Sequence, residues 1–535
     1  MRARRAGLTG LVLLLASPPA AGAQHPLLTL PLRDPAYTQL DALVRQGCRQ
    51  ARISPYRPYF VGRIRSALRE AGRDARCEGA LLDALARRFG GDNVGGRAAD
   101  SVATGLTAGA EITAAVTGLR DGEFRPLWRD IRPTGAGTES VVGEARARLR
   151  WNGGPRIVAV IEGLAMTGRR NDPRVRGGPF RSSDEVVDFG DAYVNGQLGP
   201  VVLSFGRSDE AWLGEGRESL VMSANGPPID RLLAAARWSR FEVRAFLSSI
   251  SDVQLTSDLD ELPDGATLRY HRYLLGHAIT FRASPAVEIS VGETALLQRE
   301  EGGISLNFAN PLMLYLVSQN DEGRQEGDAN LTAFAGVRVA TGRVTFTVDF
   351  LLDDILIDAD DRDRYPDQLG WSLEGTVALP LRIPTSLGAG YRRLSSYTYM
   401  GEAYSKTYQQ YDEPVGSELG PDAELVRAFG EVWPASRMRL AGGVGFWRRG
   451  ALRIDQRPSV GRVGHADEPF PSVTPERPLP QEAWLLDGSV QWVTASLPVE
   501  LRAELARVEN VNNVPSSVRN LLRVQLIGSF RFRYP

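Results

Sequence analysis

From Gly95 onward the chain keeps a period of two to its last residues, and this constrains the fold more than any other feature. Side chains alternate faces along a strand, so a sustained period of two sorts residues onto two surfaces. In "LLRVQLIGSFRFRYP", Leu522, Val524, Leu526, Gly528, Phe530, Phe532 and Tyr534 fall on one face, and Arg523, Gln525, Ile527, Ser529, Arg531 and Arg533 on the other. That run is longer than an ordinary strand of about 5–6 residues. It matches the roughly 9–11 residues of a membrane-crossing strand, apolar towards lipid and polar towards the lumen. The pattern recurs. Ala145, Ala147, Leu149 and Trp151 oppose Glu144, Arg146, Arg148 and Arg150. Phe241, Val243, Ala245 and Leu247 oppose Glu242 and Arg244; Val344, Phe346, Val348, Phe350 and Leu352 oppose Arg343, Thr345, Thr347 and Asp349. Met438, Leu440, Gly442, Val444 and Phe446 form one more apolar face, and Val499, Leu501, Ala503 and Leu505 oppose Glu500, Arg502 and Glu504. A closed barrel is the one sheet that leaves no unpaired edge in lipid. The expected fold is therefore an all-β transmembrane barrel over 93–535, with about 18 antiparallel strands at the usual spacing.

The N-terminus points to export. Arg2, Arg4 and Arg5 precede the apolar "GLTGLVLLLA" and the small residues "AGA" at 21–23, so residues 1–23 read as a signal peptide. Residues 24–92 read as a small α-helical bundle. Asp34 and Pro35 open a helix with Tyr37, Leu40, Leu43 and Val44 on one stripe; Gly47 stops it. Pro58 opens a second helix with Val61, Ile64 and Leu68, and Leu81, Leu82, Leu85 and Phe89 belong to a third. Such a bundle is too small to be stable without support. Cys48 and Cys77 are the only cysteines, and in an oxidising compartment they are expected to pair. Without a nearby histidine they cannot complete a zinc shell.

Formal net charge is −1, which gives no electrostatic case for nucleic acid. His25, His271, His277 and His465 are the only histidines, with no Ser-His-Asp set and no Gly-x-Ser-x-Gly elbow, so no enzyme is expected. His271 and His277 share a strand face but lie too far apart for one metal. Asp353, Asp354, Asp358, Asp360, Asp361, Asp363 and Asp367 lack the glycine and closing glutamate of a calcium loop. No metal or cofactor is expected. The polar, proline-rich stretches 358–370 and 455–483 read as loops at the cell surface, the second long enough to fold over the barrel mouth.

Several segments, taken in order, resemble the Wzi-type capsule-assembly outer-membrane proteins: "SPYRPYFVGRIRSALREAG" (54–72), "FGRSDEAWLGEGRESLVMSANGPPIDRL" (205–232), "NPLMLYLVSQND" (310–321) with "GDAN" (327–330), "FLLDDILID" (350–358), "YRRLSSYTYMG" (391–401) and "GSELGPDAELV" (416–426). The resemblance spans nearly the whole mature chain. "WLGEG" replaces the expected Trp-Gly-Pro-Gly, and "ANG" replaces Asn-Asn-Ala. The resemblance implies an 18-stranded barrel in the outer membrane, plugged on the periplasmic side by the helices. It implies a lectin-like role, attaching capsular or exopolysaccharide to the cell surface, with no enzymatic activity. The competing reading is a porin or transport channel for small or hydrophobic solutes. Expected partners are the polysaccharide, outer-membrane lipid and the barrel assembly machinery, with the protein a monomer. Arg207, Trp212, Arg217 and Asn225 are the candidate polysaccharide contacts: arginine forks hold carboxylates bidentately, and Trp212 would present a flat face outward beside them. The alternative places Trp212 in an interfacial girdle and pairs the arginines with Asp209, Glu215 and Glu218. Phe530, Phe532 and Tyr534 are the expected sorting signal for barrel assembly.

Overall fold

The computed structural model describes residues 24–533 except 75, 76, 78, 91–103, 121–140, 168–179, 182–184, 215–217, 224–226, 257–266, 302, 305, 320–328, 355–366, 402–403, 412, 455–469, 476 and 495. Residues 1–23, read above as a signal peptide, lie outside the described residues, as do His465 and Tyr534. Eighteen antiparallel strands close into one barrel. The first strand, Gly105–Arg120, pairs with its neighbour Val141–Asn152 and with the last strand, Val518–Arg533. At that seam Ile112 lies opposite Phe530 and Glu111 opposite Arg531.

The alternation read from sequence becomes inside and outside. Leu522, Val524, Leu526 and Phe530 are exposed on the outer surface, whereas Leu521, Arg523 and Gln525 are buried in the lumen. Leu149, Trp151, Phe241, Val344, Phe346, Phe350, Val444, Leu501 and Leu505 are likewise exposed. In water such a belt would be prohibitive; facing acyl chains it is the expected surface.

The connections divide sharply. At one end strands join through tight turns, such as those between Leu198 and Val201, Trp238 and Phe241, and Thr341 and Val344. At the other end they are long, such as those between Ser208 and Ile229, Leu394 and Ala423, and Arg449 and Gln481.

Three helices precede the barrel: α1 (Ala36–Arg45), α2 (Val61–Ala71) and α3 (Ala80–Gly90). Asp34 Oδ1 accepts the Ala36 N–H at 2.9 Å, satisfying one of the donors a helix start leaves open. Tyr37, Leu40, Leu43, Ile64, Leu68, Leu81, Leu85 and Phe89 share one buried cluster. The expected disulfide is present: Cys48, just past α1, bonds Cys77, just before α3, with Cα atoms 4.8 Å apart.

This bundle sits at the short-turn end and leans on the barrel wall. Its cluster includes Val158, Val160, Tyr193, Val202, Ala235 and Trp433 from the strands. His25 Nε2 donates to the Gly154 carbonyl at 2.7 Å, Asn195 Nδ2 to the Leu27 carbonyl at 2.7 Å, and Arg282 to the Ile53 carbonyl at 3.2 Å. Arg45 pairs with Glu431 at 3.0 Å and Arg33 with Glu162 at 3.2 Å. Gly47 has φ +98°, and a Cβ there would stand 2.5 Å from the Gly342 carbonyl oxygen in a hairpin turn. Conformation and close approach both require glycine at that position.

Candidate functional site

Beyond Ser208 the strand period ends and the chain turns into the lumen. Leu213 and Gly214 take positive φ of 61° and 69°, which reverses the backbone. Ala211 and Trp212 then pair antiparallel with Arg57 and Tyr56 of the helical domain, and the Leu213 N–H donates to the Pro55 carbonyl at 3.0 Å. A segment from the long-loop end thus meets one from the short-turn end inside the barrel. Trp212 is 0% exposed. Its indole lies edge-on to Tyr56 (5.3 Å), Phe246 (5.1 Å) and Phe334 (6.1 Å), and its Nε1–H donates to Glu210 Oε1 at 2.9 Å. Glu210 is buried too, and is paired with Arg231 (2.7 Å) and Arg244 (2.5 Å) from two adjacent strands. Arg244 also lies 5.8 Å from the Tyr56 ring centroid. A carboxylate without these partners would be expensive in such a site.

A second segment, 395–422, packs onto the first. The Tyr399 hydroxyl donates to the Leu220 carbonyl, the Tyr408 hydroxyl to the Val221 carbonyl at 3.0 Å, and the Ser223 N–H to the Val415 carbonyl at 2.8 Å. Arg272 donates from the wall to the Thr407 and Gln409 carbonyls at 3.2 and 3.0 Å. Asp353 accepts the Tyr399 N–H at 2.6 Å, so this aspartate holds the loop. Asp422 accepts the N–H groups of Ser472 (2.8 Å) and Leu452 (3.1 Å) and the Ser472 hydroxyl, tying down the mouth segment on either side of 455–469. Burial pushes the Asp422 carboxyl above its ordinary range, against the pull of these donors. Glu218 moves the other way: burial would raise it, but Arg392 at 3.0 Å and Arg427 together hold it below the usual range.

Between this column and the wall lies a polar chamber of about 620 Å³. Its lining carries nine arginines and fourteen carboxylates, an acidic excess. Most are engaged in lumenal ion pairs: Arg146 with Glu144, Arg392 with Glu218 (3.0 Å), Arg427 with Asp487 (2.8 Å), Arg502 with Glu500 (2.7 Å) and Arg531 with Glu111 (3.0 Å).

Of the four candidate contacts, Arg207 and Trp212 fall among the described residues. Trp212 is corrected: it neither presents outward nor joins an interfacial girdle, because its four partners all lie in the lumen. Arg207 is on the barrel wall, 3.1 Å from Asp188 and 3.5 Å from Asp230, rather than beside Asp209 or Glu218. Glu218 pairs with Arg392. Arg217 and Asn225 lie outside the described residues, as does Glu215. Sequence reading missed Glu210, Tyr56, Tyr399, Tyr408 and Asp422 as the groups that join the loops. The signal available was chemical: tyrosines and carboxylates in segments without a strand period.

A family model described as capsule assembly protein Wzi matches residues 138–441. The chain belongs to that family. Among solved structures, it resembles the Escherichia coli outer-membrane protein Wzi, described as a carbohydrate-binding β-barrel involved in group 1 capsule assembly. That match has 13% identity and a TM-score of 0.58, and covers 94% of this chain and 99% of that one. At that identity the likeness is one of fold. Pseudomonas aeruginosa OccD3 (10% identity, TM-score 0.45, 81% and 93% covered) and OprD (8%, 0.45, 80% and 95%) are more distant. No curated protein matches the chain by sequence. As a Wzi-family barrel with an apolar outer belt, the protein is an outer-membrane protein. In this chain the family's tryptophan segment is an internal clasp.

Proposed function

We propose that this Wzi-family barrel holds capsular or exopolysaccharide at the cell surface, acting as a binding protein rather than an enzyme or a channel. One observation carries the reading: in a member of a capsule-assembly family, segments enter the lumen from both ends and hydrogen-bond to each other there. That column leaves a solute only the ion-paired chamber beside it. A binding platform needs it closed, because loops fixed on a rigid scaffold present contacts at little entropic cost. Short turns face the periplasm in bacterial barrels, so the helical domain, 24–92, is read as periplasmic and the long loops as extracellular.

Arg207 already has carboxylate partners, and Trp212 holds the loop in place instead of touching sugar. Arg217 and Asn225 remain the proposed contacts in this loop, with the mouth segment 455–483 as the alternative. The test is binding of purified surface polysaccharide from the source strain to the full-length protein folded in detergent. Saturable binding is expected, and no binding at any accessible concentration refutes the proposal. In planar bilayers the intact protein should show no porin-like conductance steps; regular steps would favour the transport reading. Arg217→Ala with Asn225→Ala should assemble normally yet release polysaccharide into the medium, and unchanged retention would move the contacts to 455–483.

A further inference from the structure

The described part of the long connection between the strands Val287–Arg299 and Ala329–Thr341 packs against the outer wall of the barrel. Along the strand Thr267–Arg282, Leu274 and Ala278 face the lumen, where they pack in the Trp212 cluster. Leu275 and His277 therefore face outward, and by cross-strand register so do Ala295 and Glu293. Lower on the same wall the outward residues Ile279, Ile289 and Val291 are exposed to lipid. Leu275, Ala295 and Leu297 should be exposed as well, but they are buried at 1%, 0% and 1%. Phe308 and Tyr315 cover them in a separate apolar cluster on the outside of the barrel.

The covering segment is also chemically distinct. Residues 303–319, "GISLNFANPLMLYLVSQ", contain no charged side chain, although Glu300, Glu301, Asp321 and Glu322 flank them. The strap shields a polar spot on the wall. The Tyr315 ring lies 4.5 Å from that of His277, whose Nε2 is 3.7 Å from Glu293, and the Leu316 N–H donates to Glu293 Oε2 at 3.2 Å. Ionisable groups on a lipid-facing wall are costly unless covered and hydrogen-bonded. The outer side of the strap is apolar: Leu312, Leu314, Leu316 and Val317 are 89%, 56%, 65% and 58% exposed. In water that surface would be unfavourable, and it continues the belt formed by Ile279, Ile289 and Val291 below it.

The geometry points to an intramembrane strap: the described residues of segment 304–318 lie in the outer leaflet against the barrel wall and bind lipid acyl chains through Leu312, Leu314, Leu316 and Val317. This takes that loop out of the set that meets the polysaccharide. The inference rests on the barrel's place in a membrane and is independent of the polysaccharide reading.

Because Cys48 and Cys77 are bonded to each other, a single added cysteine can be labelled selectively. Full-length Leu314→Cys, carrying an environment-sensitive fluorophore, would be folded into phosphatidylcholine vesicles. Its quenching by lipids brominated along the acyl chain would be compared with quenching by aqueous iodide. Ser516→Cys, in the exposed connection before the last strand, serves as the water-facing control. The strap predicts several-fold stronger quenching by brominated lipid at position 314 than at 516, with the reverse order for iodide. Equal iodide quenching at both positions overturns it. Protection from both quenchers at 314 also overturns it, since protein would then cover the strap. Should Leu314→Cys fail to assemble, Leu312→Cys, at the most exposed of the four, gives the same readout.

Discussion

Replacing Trp212 separates a core clasp from a sugar contact. The side chain is fully buried, touches three aromatic rings at 5.1–6.1 Å and donates its indole N–H to Glu210. Truncating a buried tryptophan to alanine removes its transfer energy and leaves a cavity, at a cost of roughly 3–5 kcal/mol. Trp212→Ala should lose about that much, because Tyr56, Phe246 and Phe334 are held by strands and cannot collapse inward. Trp212→Phe keeps a ring but loses the donor. Glu210 retains Arg231 and Arg244, so that loss should be about 1 kcal/mol plus a smaller packing term. A urea titration of the detergent-folded protein, followed by the mobility difference between folded and unfolded barrel, gives both values. Hydrogen exchange adds a spatial check: because Tyr56 and Arg57 pair with this segment, Trp212→Ala should speed exchange in both segments while strands such as Val499–Glu509 stay protected. If Trp212→Ala changed stability by less than about 1 kcal/mol and instead abolished polysaccharide binding, the buried-clasp argument would be refuted.

Other expectations follow from particular contacts. Cys48→Ser with Cys77→Ser removes a cross-link spanning 29 residues; on the chain-entropy model the helical domain loses about 3.5 kcal/mol. Limited proteolysis should then cut the helices first and leave a heat-modifiable barrel. Deleting Phe530 to Pro535 removes the register of Phe530 with Ile112 and of Arg531 with Glu111, opening the seam, so no folded band should form; normal mobility would refute the role of that terminus. Burial alone would raise the Asp34 carboxyl, but the adjoining Arg88 guanidinium outweighs it and holds it below the ordinary 3.8. A depressed carboxylate contributes its stabilisation fully above the unfolded value and loses it as pH falls through the folded one. Exchange at the start of α1 should therefore accelerate on acidification below about pH 3.8, and Asp34→Asn should flatten that response at a cost of about 1.5–3 kcal/mol near neutrality.

Much of this molecule was decided locally and could be read without coordinates. Leu522, Val524 and Leu526 had to share one surface and Arg523 and Gln525 the other, because strand geometry allows nothing else once the segment is extended. The export signal and aromatic terminus then selected the membrane barrel over a soluble sandwich. The three helices followed equally from their stripes and stops, and Cys48–Cys77 from there being no other partner. The direction of the segments between strands was beyond that reach. Past Ser208 no period remains, and whether Trp212 points outward or inward depends on Tyr56 far before it and on Phe246 and Phe334 from two later strands, and on Arg231 and Arg244 being present to receive Glu210. For 304–318, the sequence shows an uncharged stretch but not which face of the barrel receives it. That choice follows from His277 and Glu293 meeting on the outer wall, a juxtaposition that exists only after the strands have paired and the barrel has closed.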